Sequence, residues 1–261
     1  MQNDNAKLQE RIVEIGGIKT FIRTKGQGKP FLILHGWGGS SDSWKEVQTK
    51  LANRFWVIVP DLPGFGKSDA PKKAWNVECY VEFVFALLNK LNIVNEFYLL
   101  GHSFGGAIAT KIAVTHPEKI KKLILVNAKV IRSHRNPIKM MAPSITKLIN
   151  LLFGWVPGYK YLRRLFYRFF LRKTDYLEAK GIMRETFKRV ISENLKYLCP
   201  KVASPTLIIW GKRDKITPLR EGLKLHRLIP NSEIVIIDEA KHAPNLSHPQ
   251  KLAQIINQKI V

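Results

Sequence analysis

The sequence predicts an α/β fold in which a mostly parallel sheet of eight strands is flanked by helices. Short apolar segments bounded by Gly, Pro or Asp recur along the 261 residues, which is typical of strands buried on both faces of a parallel sheet. Segments with helical periodicity lie between most of these strands. The alternation of strand and helix is the pattern of a doubly wound sheet, in which ligands bind at the carboxyl ends of the strands.

The predicted elements follow one another in a regular order. A hairpin comes first, because Arg11–Ile15 and Ile18–Arg23 are separated only by Gly-Gly. Six apolar segments are then predicted as parallel strands: Phe31–Leu34, Trp56–Val59, Phe97–Leu100, Leu123–Val126, Leu207–Trp210 and Ile234–Ile237. Helices are predicted near residues 43–53, 77–91, 105–115, 219–228 and 248–259.

The alternation pauses between Val126 and Pro205, and we expect an inserted helical cap there. The predicted division is a core in two parts, residues 1–128 and 203–261, with the cap at 129–202. Residues 131–201 contain 16 Lys and Arg against 4 Asp and Glu, which accounts for +12 of the total net charge of +23. A solvated basic helix is the preferred interpretation, and a lipid-facing surface or an entrance that attracts anionic substrates stays open.

The most informative motif is Gly-x-Ser-x-Gly at residues 101–105, directly after an apolar strand and before a run of small residues. This pattern indicates a serine on a sharp strand-to-helix turn, with its hydroxyl raised above the sheet. Glycine is required around such a turn because strand and helix approach each other closely. Ser103 is therefore the candidate nucleophile.

Other reactive residue types also follow predicted strands. Asp214 comes after Leu207–Trp210, and His242 comes after Ile234–Ile237. Because these strands end at one edge of the sheet, we expect both side chains to meet Ser103. His242 would accept the serine proton and Asp214 would orient the imidazole. The glycine-rich loop at 35–39 follows another strand.

Two backbone N–H groups are predicted to stabilise an oxyanion, those of Trp37 and Phe104. The apolar candidates for a substrate pocket come from the loops and from the cap. These pocket candidates are His35, Gly36, Met140, Met141, Phe153 and Trp155. A largely apolar pocket suits medium acyl chains or aromatic esters. The expected substrates are carboxylic esters of short to medium acyl chain, together with lactones.

The motifs resemble those of the α/β-hydrolase fold family, in the capped branch that includes carboxylesterases, lactonases and carbon-carbon hydrolases of ring-fission products. The matching segments are His35–Gly39, Asp61–Ser68, Gly101–Gly106, Gly211–Asp214 and His242. The resemblance implies a carboxylesterase of the EC 3.1.1 type that forms an acyl-enzyme on Ser103. Family members that cleave haloalkanes or epoxides carry an aspartate where Ser103 stands, which argues against those two activities.

Two alternatives stay open at this point. A carbon-carbon hydrolase would use the same three residues, and cap arginines could bind the carboxylate of its substrate. A ligand receptor with little turnover would keep the fold and bind a small molecule tightly. Assays with esters and with a ring-fission product separate the first alternative, and slow turnover with tight binding would favour the second.

Composition constrains the partners. The histidines lack the spacing of a zinc site, and the resemblance implies no cofactor, so we expect neither a metal nor a cofactor. The lysines are scattered and no nucleic-acid-binding motif is present, so nucleic acid is not favoured, and neither is peripheral contact with an anionic membrane.

The first ten residues lack the apolar core of a signal peptide, which predicts a cytoplasmic protein. The oligomeric state stays open.

Overall fold

One sheet forms the centre of the structure, a computed structural model that describes residues 7–131 and 181–260. Within this part of the chain the strands are β1 (Gln9–Ile15), β2 (Ile18–Lys25), β3 (Lys29–Leu34), β4 (Phe55–Pro60), β5 (Phe97–His102), β6 (Ile120–Val126), β7 (Thr206–Gly211) and β8 (Ser232–Ile237). They lie in the order β1-β2-β4-β3-β5-β6-β7-β8. The predicted α/β-hydrolase fold with a mostly parallel eight-stranded sheet is confirmed.

The strand directions explain where ligands can bind. Strand β2 is antiparallel to both of its neighbours, and all pairs from β4 to β8 are parallel. The chain leaves β3 toward one edge of the sheet and leaves β5 toward the other. The loops after these two adjacent strands therefore diverge and leave a crevice between them, at the point where the strand order reverses.

Helices cover both faces of the sheet. The helices of the described residues are α1 (Lys45–Leu51), α2 (Val77–Lys90), α3 (Phe104–Thr115), α4 (Gly181–Ser192), α5 (Leu219–Leu228), α6 (Pro244–Ser247) and α7 (Pro249–Lys259). Short 3-10 turns occupy Ser41–Trp44, Pro117–Lys119 and Leu195–Lys201. The predicted helices at 77–91, 105–115, 219–228 and 248–259 correspond closely to α2, α3, α5 and α7.

Alternate residues of the central strands point to opposite faces and enter two separate hydrophobic clusters. Leu32 and Leu99 pack with α2 and α3 on one face. Ile33 and Leu100 pack with α1 and α7 on the other. Because both faces are covered, each central strand needs a continuous apolar run, and this requirement explains why these strands were predictable from the sequence.

The N-terminal hairpin is tied to the loop that follows β3. Gly16 and Gly17 both have positive φ angles, 55° and 78°, as a two-residue turn between twisted strands requires. Arg23 of β2 is only 1% exposed, and its Nη2 lies 2.5 Å from Glu10 Oε1 and 2.6 Å from Asp42 Oδ1. The buried guanidinium thus joins β1 to the 3-10 turn at Ser41–Trp44.

The chain divides into two units, residues 1–132 with 181–261 and residues 133–180. The second unit lies outside the described residues, and so does most of the predicted cap, whose boundaries stay a prediction. Helix α4 belongs to the first unit, where Thr186 Oγ1 accepts a hydrogen bond from the backbone N–H of Trp75 at 3.1 Å. In the described part of the chain, no helix combines the length and the apolar character needed to cross a membrane.

The central strand β5 should be sensitive to truncation of its side chains. Leu100 is fully buried between the sheet and the helices α1 and α7. We expect Leu100→Ala to lower the free energy of unfolding by about 2–5 kcal/mol, through lost burial and a residual cavity. Urea unfolding followed by circular dichroism measures the change. Val94→Ala is the control, because Val94 is 66% exposed, and its effect should stay below about 0.5 kcal/mol. Equal effects of the two substitutions would contradict the assignment of Leu100 to the core.

Candidate active site

Ser103 occupies a strained turn between β5 and α3. Its φ and ψ are 49° and −113°, which lie outside the regions that L-residues ordinarily adopt. The turn is held by main-chain hydrogen bonds, since the Ser103 N–H donates to Val126 O and the Ser103 carbonyl accepts from Gly106 N and Lys129 N. A backbone strained in this way persists only where its surroundings enforce it, and such positions cluster at functional sites.

The glycines around Ser103 allow the close approach of helix and sheet. A Cβ at position 101 would overlap the carbonyl group of Gly105, and one at Gly105 would overlap the carbonyl of Leu34 in β3. At Gly36 a Cβ would lie 3.1 Å from Ser103 Cβ. The predicted pocket residue Gly36 is therefore adjacent to the serine.

A hydrogen-bonded chain links Ser103, His242 and Asp214. His242 Nε2 lies 3.0 Å from Ser103 Oγ, and His242 Nδ1 lies 2.8 Å from Asp214 Oδ2. A carboxylate can only accept, so Nδ1 carries the imidazole proton and Nε2 is left to accept the serine proton. The structure brings together these three residues, which come from the loops after β5, β7 and β8.

Asp214 is held as a carboxylate. Its Oδ1 accepts from the backbone N–H groups of Ile216 at 2.7 Å and Thr217 at 3.0 Å. Its Oδ2 accepts from Asn127 Nδ2 at 2.5 Å and Thr217 Oγ1 at 2.5 Å, in addition to His242. Burial alone would raise the pKa of this carboxyl, but the hydrogen bonds and the charge of His242 outweigh it and lower the pKa of Asp214 to about 2.

His102 anchors the loop that carries His242. Its Nε2 lies 2.8 Å from the backbone carbonyl of His242, and because a carbonyl only accepts, Nε2 is protonated and donates. Burial, followed by the neighbouring His242, lowers the pKa of His102 to about 3. His102 is therefore neutral near pH 7 and acts as a fixed hydrogen-bond donor.

The predicted oxyanion donors lie at two places, Trp37 in the loop after β3 and Phe104 at the start of α3. Among the hydrogen bonds of the described residues, none uses the backbone N–H of Trp37 or of Phe104 as donor. Phe104 is the first residue of α3, where the unpaired N–H groups and the helix dipole favour negative charge. Within residues 7–131 and 181–260 neither N–H group has a partner, so both remain the predicted donors to an oxyanion.

Hydrogen bonds of the buried His35 side chain hold the loop after β3 in place. Its Nδ1 donates to Gly36 O at 2.8 Å, and its Nε2 accepts from Leu62 N at 2.9 Å. The side chain is fully buried, and burial lowers the pKa of His35. Predicted to line the pocket, His35 has both ring nitrogens engaged within the protein, so its imidazole fixes the position of the loop rather than facing a ligand.

Aromatic side chains pack against Trp37 in the loop at residues 35–39, named the oxyanion loop after its predicted donor. The Trp37 ring lies 4.8 Å from that of Phe65, 5.6 Å from that of Phe104 and 4.8 Å from that of Phe187 in α4. Together with Trp37 these rings form an apolar wall, which reaches Ser103 through Phe104, the next residue in the chain. The other predicted pocket residues, Met140, Met141, Phe153 and Trp155, lie outside the described residues.

Sequence reasoning missed several residues that support the site. Asn127 and Thr217 both hydrogen-bond to Asp214, and Phe187 contacts Trp37. Asn127 directly follows β6, so its position at the carboxyl edge of the sheet was a signal that could have found it. Across residues 7–131 and 181–260, no group of three or more His, Cys, Asp or Glu side chains is arranged to hold a metal ion.

Comparison with known proteins agrees with this geometry. The pimeloyl-[acyl-carrier protein] methyl ester esterase of Aeromonas hydrophila subsp. hydrophila is 28% identical over 88% of this chain and 95% of its own length. The 2-hydroxymuconate semialdehyde hydrolase of Pseudomonas sp. (strain CF600) is 26% identical over 94% and 92%. A solved thermophilic esterase from Thermogutta terrifontis superposes with a TM-score of 0.74, at 25% identity, over 96% of this chain and 97% of that one.

A family model described as alpha/beta hydrolase fold matches residues 29–175. The match begins at β3 and includes the oxyanion loop and the turn around Ser103. Because it extends over more than half of the 261 residues, the chain belongs to the α/β-hydrolase fold family.

Proposed function

We propose that this hydrolase cleaves carboxylic esters through an acyl-enzyme formed on Ser103, with His242 as general base and acid and Asp214 as the residue that orients it. The observation that carries the proposal is the hydrogen-bonded chain from Ser103 Oγ to His242 at 3.0 Å and from His242 to Asp214 at 2.8 Å. These distances are within the range needed for proton transfer. Similarity to two esterases supports ester chemistry.

The first half of the proposed reaction acylates the serine. Ser103 Oγ attacks the ester carbonyl carbon while its proton moves to His242 Nε2, and the carbonyl oxygen becomes an oxyanion. The backbone N–H groups of Trp37 and Phe104 donate to this oxyanion, each contributing about 3–4 kcal/mol in the transition state. The carbon-oxygen bond to the alcohol then breaks, and the leaving alkoxide takes the proton from His242.

The second half releases the acid. Water takes the place of the departed alcohol and gives a proton to His242 Nε2 as its oxygen attacks the acyl carbon. The second oxyanion collapses, the bond to Ser103 Oγ breaks, and the serine recovers its proton from His242. Asp214 stays ionised throughout because its hydrogen bonds keep its pKa low, and its charge stabilises the imidazolium that forms twice in each cycle.

The apolar wall around Trp37 supports an apolar acyl group in the substrate. Trp37 and Phe187 are half-buried and offer aromatic surface, while the buried rings of Phe65 and Phe104 pack against Trp37. Such a surface binds hydrocarbon in proportion to the apolar area that is removed from water. We propose short to medium acyl chains, and lactones of similar size, as the substrate class.

A carbon-carbon hydrolase is the second candidate, and the similarity to 2-hydroxymuconate semialdehyde hydrolase is the observation that favours it. The same serine, histidine and aspartate would serve a vinylogous diketone. Turnover of 4-nitrophenyl butyrate, of a lactone and of a ring-fission product by the purified protein compares the two candidates. A ring-fission product hydrolysed with a higher kcat/KM than every ester would replace the ester proposal.

Removal of the serine hydroxyl should abolish the reaction. We expect Ser103→Ala to lower kcat for 4-nitrophenyl butyrate by about 10⁴- to 10⁶-fold, because no other group can form the acyl-enzyme. Wild-type protein should be labelled by a fluorophosphonate probe at Ser103, and Ser103→Ala should not. Ser192→Ala, at the exposed end of α4, is the matched control and should keep wild-type activity. Ester hydrolysis at the wild-type rate by Ser103→Ala would refute the proposal, and tight ligand binding by a protein that neither labels nor turns over would favour a receptor.

Truncation of the apolar wall should change the preference for acyl length. We expect Phe187→Ala to raise KM for a hexanoate ester by about 5- to 30-fold and to leave KM for the acetate within about twofold, since the longer chain loses more apolar contact. Initial rates with a series of 4-nitrophenyl esters measure the effect. Phe85→Ala is the control, because the Phe85 ring packs against His116 instead, at 4.0 Å. An equal rise of KM for acetate and hexanoate would exclude Phe187 from the acyl site.

A further inference from the structure

Asn127 combines an unusual backbone with complete burial. It directly follows β6, its relative exposure is 0%, and its φ of 44° lies in the left-handed region. Its backbone N–H donates to Ile209 O in β7 at 3.0 Å. Asparagine adopts this backbone more readily than most residues, but glycine would do so without strain. The backbone alone therefore does not explain why a side chain is present.

The amide group of Asn127 connects the end of β7 with the loop that follows this strand. Its Nδ2 lies 2.5 Å from Asp214 Oδ2, and its Oδ1 lies 3.3 Å from the backbone N–H of Gly211. Because a carboxylate and an N–H group make opposite demands, only one orientation of the amide satisfies both contacts. The side chain thereby joins the last residue of β7 to the carboxylate three residues later.

Thr217 completes the enclosure of the carboxylate. Its backbone N–H donates to Asp214 Oδ1 at 3.0 Å, and its hydroxyl lies 2.5 Å from Asp214 Oδ2. The same hydroxyl is 3.2 Å from the backbone carbonyl of Asn127. Its single proton serves the shorter contact, so Asn127 and Thr217 each donate one hydrogen bond to the oxygen that faces His242.

We infer that Asn127 is a positioning residue for the proposed reaction, which holds Asp214 Oδ2 toward His242 Nδ1 and keeps it ionised. The inference rests on the proposed function and extends it, because Asn127 acts through Asp214 and touches neither the serine nor the histidine in the described contacts. The titratable groups that face this carboxylate are His242, from the loop after β8, and His102, at the end of β5. A charge added at position 127 acts most strongly on Asp214, because the side chain at 127 is in hydrogen-bond contact with this carboxylate.

Three variants separate the roles of the side chain and of the backbone. Asn127→Gly keeps the left-handed backbone and removes the amide. Asn127→Asp keeps the shape but places a second carboxyl group against Asp214 Oδ2. Asn92→Gly is the matched control, because Asn92 also has a positive φ, of 55°, but is exposed at the end of α2, away from the site.

Asn127→Gly should lower kcat for 4-nitrophenyl butyrate by about 10- to 100-fold, the equivalent of one lost hydrogen bond to a charged group, and should change KM by less than about threefold. Asn92→Gly should keep both constants. A wild-type kcat in Asn127→Gly would overturn the inference.

Asn127→Asp should supply the same hydrogen bond only while it is protonated. Two carboxyl groups in contact cannot both be ionised near neutral pH, so the pair retains one proton, which the side chain at 127 can donate to Asp214 Oδ2 as the amide does. We expect kcat of Asn127→Asp near neutral pH to lie closer to the wild-type value than that of Asn127→Gly, and to fall relative to wild type as the pH rises and the pair loses this proton. A ratio of variant to wild-type kcat that does not change with pH would contradict the inference.

A readout without turnover keeps this test separate from that of the proposed function. The proton between His242 Nδ1 and Asp214 should give a downfield resonance in the proton NMR spectrum, assigned by its loss in Asp214→Asn. We expect Asn127→Gly to shift this resonance upfield and to speed its exchange with water. If wild-type protein fails to label at Ser103, the proposed function fails, and the resonance still tests the positioning. An unchanged resonance, or loss of the folded circular dichroism spectrum in both Asn127 variants, would show that Asn127 acts only in the packing of the sheet.

Discussion

The close approach of helix α3 to strands β3 and β5 is the constraint on which the rest of the site depends. It is possible because Gly101 and Gly105 lack side chains at the points where helix and sheet meet. The turn between β5 and α3 is then so tight that Ser103 is forced to a positive φ of 49°. The same approach directs the N-terminus of α3 toward the loop after β3. One packing requirement therefore positions the hydroxyl group of Ser103 and the backbone N–H of Phe104, one of the two predicted oxyanion donors.

The electrostatics of the site follow from burial. A buried carboxylate is tolerated only when its lone pairs are occupied, and Asp214 accepts hydrogen bonds from two backbone N–H groups and three side chains. Around it the buried histidines stay neutral, since burial lowers the pKa of both His35 and His102. They serve as oriented donors and acceptors for main-chain groups. Asp214 is thus the ionised group in hydrogen-bond contact with His242, and the neutral imidazoles of His35 and His102 add no competing positive charge near neutral pH.

Much of this arrangement could be predicted from the sequence, and the physical reason is the geometry of a parallel sheet. The central strands are apolar along their whole length because both faces are covered, and reactive residues that follow such strands must meet at one edge. This reasoning predicted that Ser103, Asp214 and His242 meet, although up to 139 positions of the chain separate them. It did not identify Asn127 or Thr217, because an amide or a hydroxyl in a loop looks like any turn residue until its tertiary partner is known. Nor did it distinguish His35 as a buried support, because burial of a loop residue depends on the packing of Leu62 and Phe65, which no local pattern records.

The chain order of the site has a consequence for synthesis on the ribosome. When the chain has been made as far as β6, Ser103 is present, but Asp214 and His242 have still to be added. The amide of Asn127 and the imidazole of His102 then also lack the partners that β7, β8 and their loops supply. A polar group buried without its partner destabilises any compact state that contains it, so an early folded intermediate is disfavoured. Docking of the last two strands satisfies these groups and brings Asp214 and His242 to Ser103 in the same event.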